Sequence, residues 1–81
     1  MEYLSEMERH DQLKLVGKRI RAIREGSGAT QDQMAFKAGF ARSYYSGVER
    51  GVRNVSTLNL IKLAKALDVE VGELFPPSNE M

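Results

Sequence analysis

The middle of the chain places two short helical segments almost directly after each other. Thr30 followed three residues later by Gln33 is a capping-box pattern, which predicts a helix start at this point. Gly39 should end that helix after about eight residues, because glycine readily adopts the left-handed conformation found at helix ends. A second short helix is predicted from Arg42 to Gly51. Two short helices joined by a turn of about three residues form a helix-turn-helix arrangement.

The other helices are predicted from apolar periodicity and from capping residues. Four apolar residues recur at the helical spacing of three or four: Leu13, Val16, Ile20 and Ile23. They predict a first helix over about 12–25, which the sequence GSGAT would end. Ser56 can cap a further helix that ends near Leu67, and a last short helix is predicted over about 71–75, before two prolines. Because no segment alternates like a strand, we expect a compact all-α domain of five helices.

The chain length predicts one domain, and the charge is unevenly distributed along it. We expect a helix-turn-helix domain over 13–76 and a flexible tail over 77–81. The leader, 1–12, is either disordered or extends the first helix, and it carries a net charge of −3. Residues 13–67 carry eleven Lys and Arg against three acidic residues, whereas residues 68–81 carry four acidic residues and no basic one. A basic body between two acidic ends suits a polyanion, although a charge excess alone is equally typical of a solvated surface.

Composition argues against several classes of protein. The 81 residues contain no cysteine and one histidine, His10 in the polar leader, so we expect no disulfide, no metal site and no cofactor. There is no phosphate-binding loop and no paired carboxylates, which makes an enzyme the weakest alternative. No apolar run approaches the roughly 18–20 residues that cross a bilayer, and no signal core is visible. These features predict a cytoplasmic protein that is not associated with a membrane.

The third predicted helix, in the sequence RSYYSGVERG, has two unlike faces. On a helical wheel, Tyr45 and Val48 share one side and should pack into the core. Tyr44 falls on the boundary, and we expect its ring to point outward. The opposite face carries small or polar residues: Ser43, Ser46, Gly47 and Arg50.

That outer face has the composition of a helix that enters a DNA major groove. The groove admits an α-helix, and an arginine such as Arg42 can bond two acceptors of one guanine. Ser43 and Ser46 can donate hydrogen bonds, and Gly47 would let the backbone approach the DNA closely. The alternative interpretation is that Tyr44 is an ordinary half-exposed tyrosine and that Gly47 has no role.

Four motifs in a fixed order make a resemblance to a known family. GKRIRAIRE, TQDQMAFKAGF, RSYYSGVERG and LIKLAKALDVEVGELF together resemble the lambda-repressor-like, Cro-type (Xre) helix-turn-helix family of DNA-binding regulators. The resemblance covers about residues 15–75 and implies five helices and a homodimer on a palindromic operator of double-stranded DNA. The stretch RSYYSGVERGVRNVS and the aromatic Phe36 look most like the controller proteins of restriction–modification systems. Phage, plasmid and chromosomal repressors share nearly all of the same pattern.

The resemblance implies roles for individual residues. Gln31 would contact the DNA backbone and brace the recognition helix, while Arg24 and Glu49 would form a partly buried structural ion pair. The full set of DNA-binding candidates, including two from the wheel, is Gln31, Arg42, Ser43, Tyr44, Ser46, Gly47, Arg50, Arg53 and Asn54. The chain departs from the family at Ala41, where a capping residue usually stands, so the third helix lacks a cap worth about 1 kcal/mol.

The same resemblance implies partners. Two chains would pair through their C-terminal helices, and the candidate interface residues are Leu67, Val69, Val71, Leu74 and Phe75. Some of these residues must also close the core of each monomer. A protein partner, either RNA polymerase or a toxin, is a further prediction, since related folds serve as antitoxins.

Overall fold

The computed structural model describes residues 5–77, and these residues form an all-α domain. Its elements are α1 (Glu6–Ser27), α2 (Gln31–Ala38), α3 (Arg42–Glu49), α4 (Thr57–Leu67) and a 3-10 helix (Val71–Leu74). The five predicted helices therefore correspond to four α-helices and, at the place of the predicted last helix, a single 3-10 turn of four residues. A segment this short, followed by Phe75 and then by two prolines, has too few residues for a regular α-helix.

The first helix begins at Glu6, six residues before the start that apolar spacing predicted. Ser5 caps it through a capping box: its hydroxyl accepts the Glu8 amide at 3.1 Å, and the Glu8 side chain accepts the Ser5 amide at 3.4 Å. The carboxylates of Glu6 and Glu8 also stabilise the start of the helix, because they lie near the positive end of its dipole. Polar helical turns held by a cap carry no apolar stripe, which is why periodicity did not detect them. Residues 1–4 and 78–81 of the predicted leader and tail lie outside the described part of the chain.

Both helices of the helix-turn-helix pair begin where the sequence predicted, and α2 ends as predicted, but α3 ends at Glu49, two residues before the predicted Gly51. Thr30 accepts the Gln33 amide at 3.1 Å, and the Gln33 side chain accepts the Thr30 amide at 2.9 Å, so the capping box is present. Gly39 ends α2 with a φ of 76°, a conformation that strains residues with a Cβ. Ala41 makes no side-chain cap for α3, as the sequence suggested. Short-range signals were enough to place these two helices.

The core lies between α3 and the helices around it. α3 packs on α1 and α2, while α4 packs on α2 and on the 3-10 helix. Tyr45 and Val48 are buried, which confirms the predicted inner face of α3. The other buried apolar residues are Ile20, Met34, Ala35, Ala38, Leu63, Ala64, Ala66, Leu67 and Leu74.

One contact between α1 and α3 is a contact of backbone with backbone. Gly17 is buried, and a Cβ placed on it would lie 2.6 Å from the carbonyl oxygen of Val48 and closer still to that of Glu49. Gly51, with a φ of 74°, comes equally close to the backbone of Lys14. The absence of side chains at these two glycines lets α1 lie directly against the end of α3.

The C-terminal elements correct part of the predicted dimer interface. Leu67 and Leu74 are buried in the core of the single chain, so neither is available to a second copy. Val69, Val71 and Phe75 are only half-buried. The apolar pattern did not separate these groups, because core and interface residues recur at the same helical spacing.

Candidate nucleic-acid interface

The N-terminal end of α3 carries exposed polar side chains. Arg42 and Ser43 occupy its first two positions, and both are exposed. Residues at the start of the second helix of such a pair are the ones that reach base edges in the major groove. The sequence analysis named both residues among the DNA-binding candidates, and the fold leaves both exposed at the start of α3.

The guanidinium of Arg42 is held by two side chains of α2. Its Nη1 donates to Asp32 Oδ1 at 2.8 Å, and its Nη2 donates to Gln31 Oε1 at 3.0 Å. The Arg42 side chain nevertheless remains 55% exposed. Asp32 was not among the predicted site residues. Ten residues separate it from Arg42, and only the packing of α2 against α3 brings the two together.

A buried ion pair lies behind these residues. Arg24 Nε donates to Glu49 Oε2 at 2.6 Å and its Nη2 to Glu49 Oε1 at 3.0 Å, while its Nη1 donates to the Ala29 carbonyl at 3.0 Å. Gln31 Nε2 donates to the same Glu49 carboxylate at 2.9 Å. Bidentate geometry with further hydrogen bonds is what makes a buried pair tolerable. Helices α1, α2 and α3 are thus joined at one carboxylate.

This network shifts the pKa values of its members. Burial favours a higher pKa for Glu49, but the hydrogen bonds that it accepts from Arg24 and Gln31 outweigh burial and leave its pKa below the ordinary value. The hydrogen bond to Glu49 raises the pKa of Arg24 further. Burial, together with the neighbouring Glu49 carboxylate, raises the pKa of Tyr45. The Tyr45 hydroxyl is buried, and no neighbouring group in the described part of the chain is placed within the usual distance and angle limits of a hydrogen bond to it. All three groups keep their usual protonation states at neutral pH.

Tyr44 differs from its prediction. Its ring does not point outward: it is half-buried, packs edge-on against Phe40 with ring centroids 5.1 Å apart, and accepts a hydrogen bond from Asn59 Nδ2 at 3.0 Å. Asn59 lies on α4, so Tyr44 joins α3 to α4. A wheel drawn for α3 alone cannot show this contact, because Asn59 is fifteen residues further along the chain. Base reading by Tyr44 would require its ring to leave this position.

Gly47 also differs from its prediction. It is buried rather than on an open face, and a Cβ there would lie 2.7 Å from Cγ of Arg53. The Arg53 side chain therefore lies over Gly47, and the glycine makes room for an arginine of the following loop. Gly47 itself is not open to DNA. Arg50, Arg53 and Asn54 are exposed, and Ser46 is half-buried.

Two of the predicted DNA-binding residues thus meet at one corner of the fold. Gln31 and Arg42 are joined there with Asp32, and Ser43 follows Arg42 on α3. Arg53 and Asn54 lie in the segment between α3 and α4. Chemically, the corner offers arginine, amide and hydroxyl donors, which suit base edges and phosphate oxygens.

Within residues 5–77 there is neither a cluster of three potential metal ligands nor a helix long and apolar enough to cross a membrane.

Comparison with known proteins identifies the family. A family model described as helix-turn-helix matches residues 20–74, which is more than half of the chain. The chain belongs to the lambda-repressor-like helix-turn-helix family. This helix-turn-helix protein has homologues that are transcriptional regulators and restriction–modification controller proteins.

Three relatives illustrate the similarity. The crystal structure of the controller protein C.AhdI from Aeromonas hydrophila is 51% identical, covers 80% of this chain and 98% of its own, and has a TM-score of 0.79. The control protein C.BamHI from Bacillus amyloliquefaciens is 43% identical over 61 residues, or 74% of this chain and 75% of its own. The controller protein C.Esp1396I, solved as a tetramer with its natural 35 base-pair operator, is 32% identical, covers 78% and 93%, and has a TM-score of 0.69.

Proposed function

We propose that this helix-turn-helix protein is a sequence-specific regulator of transcription that binds double-stranded DNA as a homodimer on a palindromic operator. We further propose that the operator controls a restriction–modification operon. The observation that carries the proposal is the exposed start of α3, where Arg42 is held with donors still available. The similarity to C.AhdI and C.BamHI supports the choice of operon.

Binding would divide between base reading and backbone attraction. Arg42 and Ser43 would contact base edges, since they are exposed at the N-terminal end of α3. Gln31, Arg53 and Asn54 would contact the DNA backbone on either side of the bases that Arg42 and Ser43 contact. Phosphate contacts position a protein on DNA without reading its sequence, so these residues would set affinity rather than specificity.

Dimerisation would use apolar residues that the single chain leaves uncovered. Leu58 and Ile61 lie one turn apart on α4, and they are 71% and 36% exposed. They supplement the half-buried Val69, Val71 and Phe75 of the predicted interface. A two-fold dimer would place its two α3 helices about 34–36 Å apart, one turn of DNA.

The proposal is tested by selecting bound duplexes from a random pool with the purified chain at two salt concentrations. We expect a palindrome whose half-sites are centred about one helical turn apart, recovered at both concentrations. Recovery of no motif at either concentration would contradict base reading. A motif without two-fold symmetry would contradict the homodimer.

The alternative function is that of a phage- or plasmid-type repressor or an antitoxin-like module, which would use the same α3. Under either function we expect the protein to work in the cytoplasm, and RNA polymerase or a toxin remains the predicted protein partner. Genomic matches to the selected palindrome separate the two functions. A match upstream of a restriction endonuclease gene supports a controller, whereas a match upstream of a toxin-like or phage gene supports the alternative.

A further inference from the structure

We propose that Asp32 is a specificity-determining residue: it positions the guanidinium of Arg42 for base reading and opposes the use of that guanidinium for phosphate binding. The inference rests on the proposed function and deepens it. It concerns a residue of α2 that was not among the DNA-binding candidates from the sequence.

The Arg42 guanidinium donates two hydrogen bonds within the chain and has further N–H donors available. Asp32 and Gln31 accept one hydrogen bond each, at 2.8 and 3.0 Å, from the two terminal nitrogens of the guanidinium. A guanidinium has five N–H donors in one plane, so three remain. Two acceptors on different terminal nitrogens fix both the place and the tilt of that plane. A plane held in this way can present a pair of donors to guanine without first losing its rotational freedom.

The buried ion pair determines which atom of Gln31 faces Arg42. The Glu49 carboxylate can only accept hydrogen bonds, so Gln31 must turn its amide nitrogen toward it, as it does at 2.9 Å. The carbonyl oxygen of the same amide then points to Arg42. Glu49 is itself held in two places by Arg24. Arg42 is therefore connected, through Gln31, to the buried Arg24–Glu49 ion pair.

Asp32 completes this arrangement with a charge. The Asp32 and Arg42 side chains are 73% and 55% exposed, and exposed pairs contribute little to folding. Near DNA, the carboxylate offsets the charge that Arg42 would offer to a phosphate, and it repels phosphates itself. Guanine O6 and N7 are neutral acceptors, so the Asp32 charge does not weaken the hydrogen bonds that the remaining Arg42 donors make to them. Asp32 should therefore weaken binding to random DNA and sharpen the choice of base.

The test compares Asp32→Asn with a variant that removes the same charge elsewhere. Asp68→Asn is the matched control, because Asp68 is exposed at the end of α4 and its φ of 59° is one that asparagine also tolerates. For each protein, the dissociation constant is measured on the selected operator and on operators with each half-site base pair substituted, at one salt concentration.

We expect Asp32→Asn to bind random duplex more tightly than the wild-type chain does. We also expect its preference for one guanine-containing base pair to fall at least about fivefold, the lower range of what a bidentate arginine–guanine contact contributes. Preferences at the other positions should stay unchanged. Asp68→Asn should keep the wild-type base preferences, and Asp32→Glu should recover part of the lost preference. In the Arg42→Ala background, Asp32→Asn should cause no further loss of base preference, because Asp32 acts through Arg42.

Several results would overturn the inference. If Asp32→Asn tightens operator and random duplex by the same factor, Asp32 only repels DNA and does not position Arg42. If the base preferences of Asp32→Asn match those of the wild-type chain, the pair has no part in reading. A wild-type chain that selects no motif contradicts the proposed function, and the inference with it. A wild-type motif that Asp32→Asn retains unchanged contradicts the inference alone.

Discussion

Replacing Gly17 by alanine tests whether the close backbone contact between α1 and α3 is a requirement of the fold. In a helix with open space, glycine to alanine stabilises by roughly 0.5–1 kcal/mol, because glycine loses more conformational freedom on folding. At Gly17, however, the new Cβ would lie 2.6 Å from the Val48 carbonyl oxygen, where ordinary contact begins at 3.4 Å. Backbone oxygens cannot rotate away as a flexible side chain can. α1 must therefore retreat from α3 by at least about 0.8 Å, the difference between these two distances, because the Glu49 carbonyl oxygen is closer still.

That retreat affects the hydrogen bonds that cross the same helix pair. Arg24 Nε lies 2.6 Å from Glu49, and a shift of this size would stretch the bond to the limit of a hydrogen bond. Overpacking alone costs about 1–3 kcal/mol, and stretching the buried pair adds part of the roughly 3–5 kcal/mol that losing one partner would cost. Set against the gain in helix propensity, Gly17→Ala should destabilise the chain by about 2 kcal/mol or more. The melting temperature should fall by roughly 10 °C for a domain of this size.

Gly26 provides the matched control on the same helix. It is exposed, and a Cβ on it would meet no atom within 4 Å. Gly26→Ala should therefore stabilise the chain by roughly 0.5–1 kcal/mol. Urea unfolding followed by circular dichroism measures both variants, and equal m-values would show that the unfolding reaction is the same. If Gly17→Ala proves as stable as Gly26→Ala, the close contact of α1 with α3 is wrong.

Three further predictions address the ion pair, the interface and the phosphate contacts. The pKa of Glu49 is lowered by folding, so its stabilisation is complete above its unfolded value of about 4.5 and is lost as pH falls through the lower folded pKa. Glu49→Gln should therefore cost about 3 kcal/mol near neutral pH, and urea titrations should show this difference from the wild-type chain shrinking below about pH 4.5. Ile61→Asp should yield monomers in sedimentation experiments, whereas Phe36→Asp, at an 87% exposed residue of α2, should leave the dimer intact; dimers of Ile61→Asp would exclude this face of α4. Lys18 is an exposed residue of α1, and we expect it to contact a phosphate. Lys18→Ala should weaken binding to all DNA sequences alike and reduce the salt slope by about one, whereas an unchanged slope would show that Lys18 makes no phosphate contact.

The elements that the sequence predicted well are those with short-range signals. The Thr30 capping box, the Gly39 helix end and the inner face of α3 each depend on residues a few positions apart, and all three are present. The start of α1 was left open between two alternatives, a disordered leader and a longer first helix, because Ser5 and Glu8 hold polar turns that have no apolar stripe. Local patterns therefore located the two helices of the helix-turn-helix but did not determine the full length of α1, which packs against α3.

The details of the site depend on contacts between distant parts of the chain. Tyr44 is turned inward by Asn59, and Gly47 is covered by Arg53. The contact of Asp32 with Arg42 arises because α2 and α3 bring their N-terminal ends together. Each of these contacts joins two elements or an element and a loop, so no helical wheel drawn on one segment could show it.

The central claim is that Arg42, at the start of α3, reads a base of the operator. The most direct test is a complete single-base substitution scan of one operator half-site, measured with the wild-type chain and with Arg42→Ala. We expect Arg42→Ala to remove the preference at one guanine-containing base pair, worth about 1–3 kcal/mol, while the other preferences and the binding of random DNA largely remain. An unchanged preference at every position would show that Arg42 does not read the operator.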